Sequence, residues 1–130
     1  MKIYLAGPIN GCSDNEAITW RQWFKEESLR DIEVGFIDPM KRDYRGKELS
    51  HYREIVDLDK IDIRNSDVVV VMYVKPSVGT SMEVFYAWTL GKPVIIINES
   101  KSKLSPWLIY HSTTIVTSKE ACEDKIREWV

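Results

Sequence analysis

The chain has 130 residues, a formal net charge of −2 at pH 7 from 18 Lys and Arg against 20 Asp and Glu, and 44% hydrophobic residues. That length supports one hydrophobic core without disulfides or metals, so a single domain over residues 1–130 is expected, and the composition excludes a disordered chain. The lack of a basic block argues against nucleic acid as a partner, and the longest apolar run, Val68 to Val74, is too short to cross a bilayer, which leaves a small-molecule ligand.

Cys12 and Cys122 form no CxxC or Cys/His cluster, so no disulfide framework and no metal site are expected. This usage fits a reducing cytoplasm, as does an N-terminus that enters a strand at once and leaves no room for a signal peptide.

Lys2 to Ala6 reads as a short buried strand, ended by the turn-rich loop Gly7-Pro8-Ile9-Asn10-Gly11, whose backbone N–H groups would be free. From Asp14 or Asn15 as cap, Glu16 to Leu29 has the apolar spacing of an amphipathic helix, with Trp20 and Trp23 as packing residues. Val34 to Ile37 is the second strand. Asp38-Pro39 stops it, because proline donates nothing to a sheet, and Asp38 then sits at a strand's carboxyl end. Met40 to Tyr52 is charged and aperiodic, a loop that either covers a site or merely connects elements.

Arg53 to Asn65 is the second helix, and Asp59 is out of place in it. It stands four residues from both Ile55 and Ile63, in a row that should point at the core, so it lies at a pocket edge or near a helix end facing solvent. Val68 to Tyr73 is a β-branched run without alternation, as in a central parallel strand covered on both faces. A Gly/Pro/Ser loop, Lys75 to Thr80, leads into a helix from Ser81 to Leu90, stopped by Gly91. Val94 to Ile97 is the fourth strand, Ser105 to His111 a short helix or turn, Thr113 to Val116 the fifth strand, and Lys119 to Trp129 a closing amphipathic helix.

Strands alternating with helices predict an α/β fold: a doubly wound five-stranded parallel sheet of flavodoxin or Rossmann-like type, order 2-1-3-4-5, with helices on both faces. Ligands of such sheets bind at the carboxyl ends of the strands, where the winding reverses. The Gly7 to Gly11 loop and the Pro76 to Glu83 loop would flank that crevice.

Glu83 has two compatible readings. Thr80-Ser81-Met82-Glu83 matches a capping box, in which Glu83 reaches back to the Thr80 N–H. Alternatively, a helix N-terminus keeps a carboxylate ionised and ready to attack. The preceding N–H groups of Val78, Gly79 and Thr80 and the Ser77 hydroxyl could hold an anion. There is no Walker A element and no GxGxxG fingerprint, so neither ATP hydrolysis nor a dinucleotide cofactor is expected, and no cofactor at all is implied.

Ile3-Tyr4-Leu5-Ala6-Gly7-Pro8-Ile9, then Asp57-Leu58-Asp59 with Ile63, Ser66 and Asp67, then Gly79-Thr80-Ser81-Met82-Glu83 with Ala87 and Gly91-Lys92-Pro93-Val94, together resemble the nucleoside 2-deoxyribosyltransferase superfamily. The resemblance implies cleavage of an N-glycosidic bond. Glu83 would attack the anomeric carbon, Asp59 would handle the proton at the leaving base, and Tyr4 would orient Glu83. It implies a substrate site of Gly7, Ile9, Asn10, Gly11, Asp38, Ser77, Gly79 and Ser81.

Six residues before the glutamate, the transferases of that superfamily carry an acid that holds a free 5′-hydroxyl, whereas the nucleoside 5′-monophosphate hydrolases carry a serine in a Pro-Ser-x-Gly loop. Here the residue is Ser77, which resembles the hydrolase branch. Those hydrolases also use a serine from a neighbouring subunit against the phosphate, which implies at least a homodimer with Ser105 in that role, unless Ser105 only caps a helix. The first loop departs from the hydrolase pattern in carrying Asn10 where arginine can stand, so either phosphate affinity would be weaker or backbone amides and Arg or Lys from residues 40–52 would supply the missing contacts.

Overall fold

The structure, a computed structural model, describes residues 1–130. Five strands, β1 (Lys2–Ala6), β2 (Gly35–Ile37), β3 (Val68–Met72), β4 (Val94–Ile97) and β5 (Thr114–Val116), form one all-parallel sheet in the order β2-β1-β3-β4-β5. The expected doubly wound topology is therefore present. The helices are α1 (Trp20–Glu26), α2 (Tyr52–Arg64), α3 (Val78–Thr89), α4 (Pro106–Tyr110) and α5 (Lys119–Trp129).

Side chains alternate across the sheet, and this alternation decides which residues meet at the site. Ile3, Leu5, Val68, Val70, Met72, Ile95 and Ile97 face one layer, packed with Trp20 and Phe24 of α1 and Cys122 and Ile126 of α5. Tyr4, Ala6, Val69, Val71, Val94 and Ile96 face the other, packed with Ile63 of α2, Val84 and Ala87 of α3 and Leu108 of α4. Tyr4 is fully buried at the register position between Ile37 of β2 and Val69 of β3. It therefore points into the layer where α2 and α3 pack together.

Several boundaries differ from the sequence expectation, for local reasons. The first helical segment is capped by Ser13, not Asp14 or Asn15: the Glu16 N–H donates to Ser13 Oγ (3.2 Å) and the Ser13 N–H donates to Glu16 Oε1 (3.1 Å), a capping box. It opens with a π-helical turn, Asn15–Thr19, and its α-helical part ends at Glu26 rather than Leu29, which has φ of 53°. Residues 40–52 are not featureless: short 3₁₀ turns span Pro39–Lys41 and Glu48–Ser50. Helix α3 starts at Val78, three residues before the expected Ser81, because Ser77 is its cap and accepts from the Thr80 N–H at 3.3 Å. The Thr80–Glu83 capping box is consequently not formed.

Gly7, just past β1, packs closely enough that its lack of a side chain is structural. A Cβ there would lie 2.9 Å from Trp20 Cζ2 and 3.2 Å from the Met72 carbonyl oxygen. The Gly7→Ala variant is expected to lose about 1–3 kcal/mol of stability through this overpacking, measured as a lower midpoint in urea denaturation with an unchanged slope.

Candidate active site

The carboxyl ends of β1 and β3 and the first turn of α3 open onto a cleft of about 220 Å³. Its lining includes Gly7, Ile9 and Asn10 from the first loop, Ser77, Gly79, Thr80 and Glu83 from α3 and its cap, and Asp59 and Ile55 from α2. Arg42, Tyr44 and Glu48 of the segment between β2 and α2 complete the wall, so that segment does cover the site.

The centre of the cleft is a chain of three titratable groups. The Tyr4 hydroxyl donates a short hydrogen bond to Glu83 Oε2, joining residues 79 apart in the chain. Burial, then the charges of Glu83 and Asp59, raise the Tyr4 phenol well above its usual range, so it remains a neutral donor. Glu83 is pushed up to about 8, chiefly by burial and then by the Asp59 charge, against the opposing pull of the Tyr4 hydrogen bond and the Arg21 charge. Asp59 is raised to about 6 by burial, against the lowering effect of Arg42. The two carboxyl groups titrate as a pair that holds one proton around neutral pH.

Two arginines set the electrostatics around that pair. Arg21 is completely buried, and its guanidinium donates to the carbonyl oxygens of Leu5 (3.3 Å), Ala17 (2.5 Å) and Gly7 (3.1 Å), pinning the end of β1 and the start of the first loop to α1. Burial pulls its pKa down, while the charges of Asp38 and then Glu83 hold it up. Arg42 donates through Nη2 to Asp62 Oδ2 (2.7 Å) and to Asp59 Oδ1 (3.4 Å). Against the cost of partial burial, Asp62 and then Asp59 raise its pKa.

At the α3 end, the Thr80 N–H is taken by Ser77, but the N–H groups of Val78 and Gly79 have no acceptor in the chain. The Thr80 hydroxyl is buried, lines the cleft and has no partner. Unoccupied N–H donors at a helix N-terminus attract an anion, and here two of them and the Thr80 hydroxyl cluster beside the Ser77 hydroxyl.

Of the residues expected at the site, Glu83, Asp59, Gly7, Ile9, Asn10, Ser77 and Gly79 come together in the cleft, with Tyr4 beneath it. Others do not line it. Gly11 lies outside, exposed, in a left-handed turn with φ of 70°. Asp38 is buried and committed elsewhere: Oδ2 takes a 2.6 Å bond from Lys25 Nζ, and Oδ1 caps the next turn through the Met40 N–H at 2.8 Å. The Ser81 hydroxyl donates to the Ser77 carbonyl (2.9 Å), and Ser81 and Ser105 line an adjoining groove together with Ser77. Ser105 caps α4 through the Trp107 N–H.

Arg21 and Tyr44 escaped the sequence reading, Arg42 entered it only as an unspecified Arg or Lys of residues 40–52, and Thr80 only through its N–H and as a helix cap rather than through its hydroxyl. Arg21 carried a usable signal: it stands four residues after Ala17 and three before Phe24, in the apolar row of its helix, as Asp59 does in its own. Arg42 and Tyr44 lie in an aperiodic stretch and carried none.

A family model for nucleoside 2-deoxyribosyltransferases matches residues 3–125. The chain belongs to the nucleoside 2-deoxyribosyltransferase family. Its members are enzymes that act on the glycosidic bond of nucleosides or nucleotides, and this chain is one of them. No curated protein matches the chain by sequence. Solved structures share its fold, three of them as follows. A conserved protein of Enterococcus faecalis V583 is 18% identical with a TM-score of 0.78, covering 99% of this chain and 98% of its own. A 2-deoxyribosyltransferase of Bacillus psychrosaccharolyticus is 18% identical with a TM-score of 0.73, covering 95% and 91%. A CMP N-glycosidase of Clostridium botulinum is 17% identical with a TM-score of 0.60, covering 98% and 99%.

The raised pKa of Glu83 has a consequence for stability. Between the ordinary value of 4.5 and about 8, the folded chain binds more proton at Glu83 than the unfolded chain does, so this group makes stability fall as pH rises across that window. Glu83→Gln removes the effect. The variant is expected to be more stable than the parent by about 1–3 kcal/mol at pH 8, with the difference shrinking toward pH 5, as read by thermal or urea unfolding at both pH values.

Proposed function

We propose that the protein hydrolyses the N-glycosidic bond of a (2′-deoxy)nucleoside 5′-monophosphate, releasing free base and (deoxy)ribose 5-phosphate. The observation that carries this is the cleft's division into a carboxyl pair, Glu83 and Asp59, and a neighbouring set of unpartnered donors at the head of α3. The Ser77 hydroxyl and the N–H groups of Val78 and Gly79 would hold the phosphate. An acid at position 77 would repel it.

The chemistry follows from the pair. The Glu83 carboxylate attacks the anomeric carbon as the bond from that carbon to the base nitrogen breaks. The bonding electrons leave with the base, which takes the proton of Asp59. The glycosyl ester on Glu83 is then attacked by water, whose proton returns to Asp59, restoring both groups. In the empty cleft the pair's single proton sits on Glu83, whose pKa is the higher, and the productive state has it moved to Asp59 with the charge on Glu83. The Tyr4 hydroxyl and the Arg21 charge both favour charge on Glu83, and so does positive charge developing at the anomeric carbon.

A homodimer fits the same proposal. Val78, Met82, Trp88 and Trp107 form an exposed apolar face on α3 and α4, next to the groove shared by Ser77 and Ser105. A second copy seated there would cover that face and bring its own Ser105 near the phosphate.

Incubation with deoxynucleosides and their 5′-monophosphates, following free base, tests the proposal. Base is expected from the monophosphates without an added acceptor base. Ser77→Asp is expected to cut kcat/KM for monophosphates by about 100-fold or more while sparing the unphosphorylated nucleosides. Turnover only when a second base is supplied would make the protein a transferase instead.

A further inference from the structure

We propose that Arg42 determines base specificity by donating to an exocyclic carbonyl oxygen of the leaving base, so that purines with oxygen at C6 are cleaved in preference to adenine. The inference rests on the glycosidase proposal above and specifies its substrate class.

Arg42 follows the Pro39–Lys41 turn and enters the cleft from the β2–α2 side, with Tyr44, Ile55 and Asp59, whereas the anion-binding donors enter from α3. Its anchor is Asp62, which is buried, does not line the cleft and accepts the 2.7 Å bond. Both side-chain hydrogen bonds of Arg42 use Nη2, so Nη1 and Nε have no acceptor in the chain. A guanidinium held from behind, with 19% of its side-chain surface exposed and free donors in the cleft wall, is preorganised to meet an acceptor on a ligand.

Its place beside Asp59 says which acceptor. Arg42 Nη2 is 3.4 Å from Asp59 Oδ1, the group that would protonate the base. On a purine, protonation at N7 puts the C6 substituent next along the same edge, in reach of the guanidinium. Guanine and hypoxanthine present oxygen there, an acceptor, while adenine presents an amine whose N–H groups would face the guanidinium donors. A carbonyl that engages Arg42 also draws the cation away from Asp59 and so helps that carboxyl keep the proton it must deliver. Donor facing donor in a desolvated cleft is a mismatch of the kind that discriminates strongly.

The test compares kcat/KM for 2′-deoxyinosine and 2′-deoxyadenosine 5′-monophosphates in the parent, Arg42→Met and Arg42→Lys. The parent is expected to favour deoxyinosine monophosphate by about 10- to 100-fold. Arg42→Met is expected to bring the ratio near unity while keeping the preference for deoxyinosine monophosphate over deoxyinosine, and Arg42→Lys to fall between. Should Arg42→Met not fold, Asp62→Asn, which loosens the anchor, is expected to lower the ratio. Equal cleavage of the two nucleotides by the parent overturns the inference, as does an unchanged ratio in the variants. Loss of the preference for phosphate in Arg42→Met, with the base ratio intact, would make Arg42 a phosphate ligand and overturn it too. Release of no base from any nucleotide would instead overturn the glycosidase proposal, and this inference with it.

Discussion

The hydrogen bond from Tyr4 to Glu83 is the contact on which the site depends. It joins the middle of β1 to the second turn of α3, and it exists because sheet register aims Tyr4 into the layer that receives α3. A carboxyl group sunk at that depth resists ionisation, and the fully buried phenol answers part of the cost without carrying charge itself. Under the proposed mechanism that tension has a use: a glutamate that is expensive to ionise in the empty cleft gains most when a positive centre arrives beside it.

The surrounding charges are arranged by depth. Arg21 lies fully buried beneath the first loop, where it satisfies three backbone carbonyls and supplies a fixed positive potential to Glu83. Arg42 lies in the cleft wall, partnered by one buried acid and one cleft acid. The inner arginine is structural and permanent, while the outer one has donors to spare for a ligand. Both act on the same proton, one by stabilising charge on Glu83 and the other by stabilising it on Asp59.

Much of the fold was legible in the sequence because its signals are local. The valine run of β3, the Asp38-Pro39 stop and the Gly91 helix end each have a steric or hydrogen-bonding cause visible in a few residues, and strand–helix alternation constrains the topology. The candidate site was legible where a polar residue broke an apolar row, as with Asp59. The start of α3 was misplaced because two serines and a threonine all qualify as caps, and only the path of the chain out of β3 selects Ser77. Asp38 was expected in the cleft from its position at a strand end, but Lys25, thirteen residues earlier on α1, claims its carboxylate. The contributions of Arg42 and Tyr44 depend on how an aperiodic segment folds over the sheet, which no local pattern encodes.

The central claim is that Glu83 forms a covalent bond to the sugar. Acid quenching of the protein during turnover of a deoxynucleoside 5′-monophosphate, followed by proteolysis and mass spectrometry, tests it directly. A deoxyribose 5-phosphate adduct on the peptide bearing Glu83, absent from Glu83→Gln along with base release, is the predicted result. Base release by Glu83→Gln at the parent's rate, with no adduct on that peptide in either protein, would contradict it.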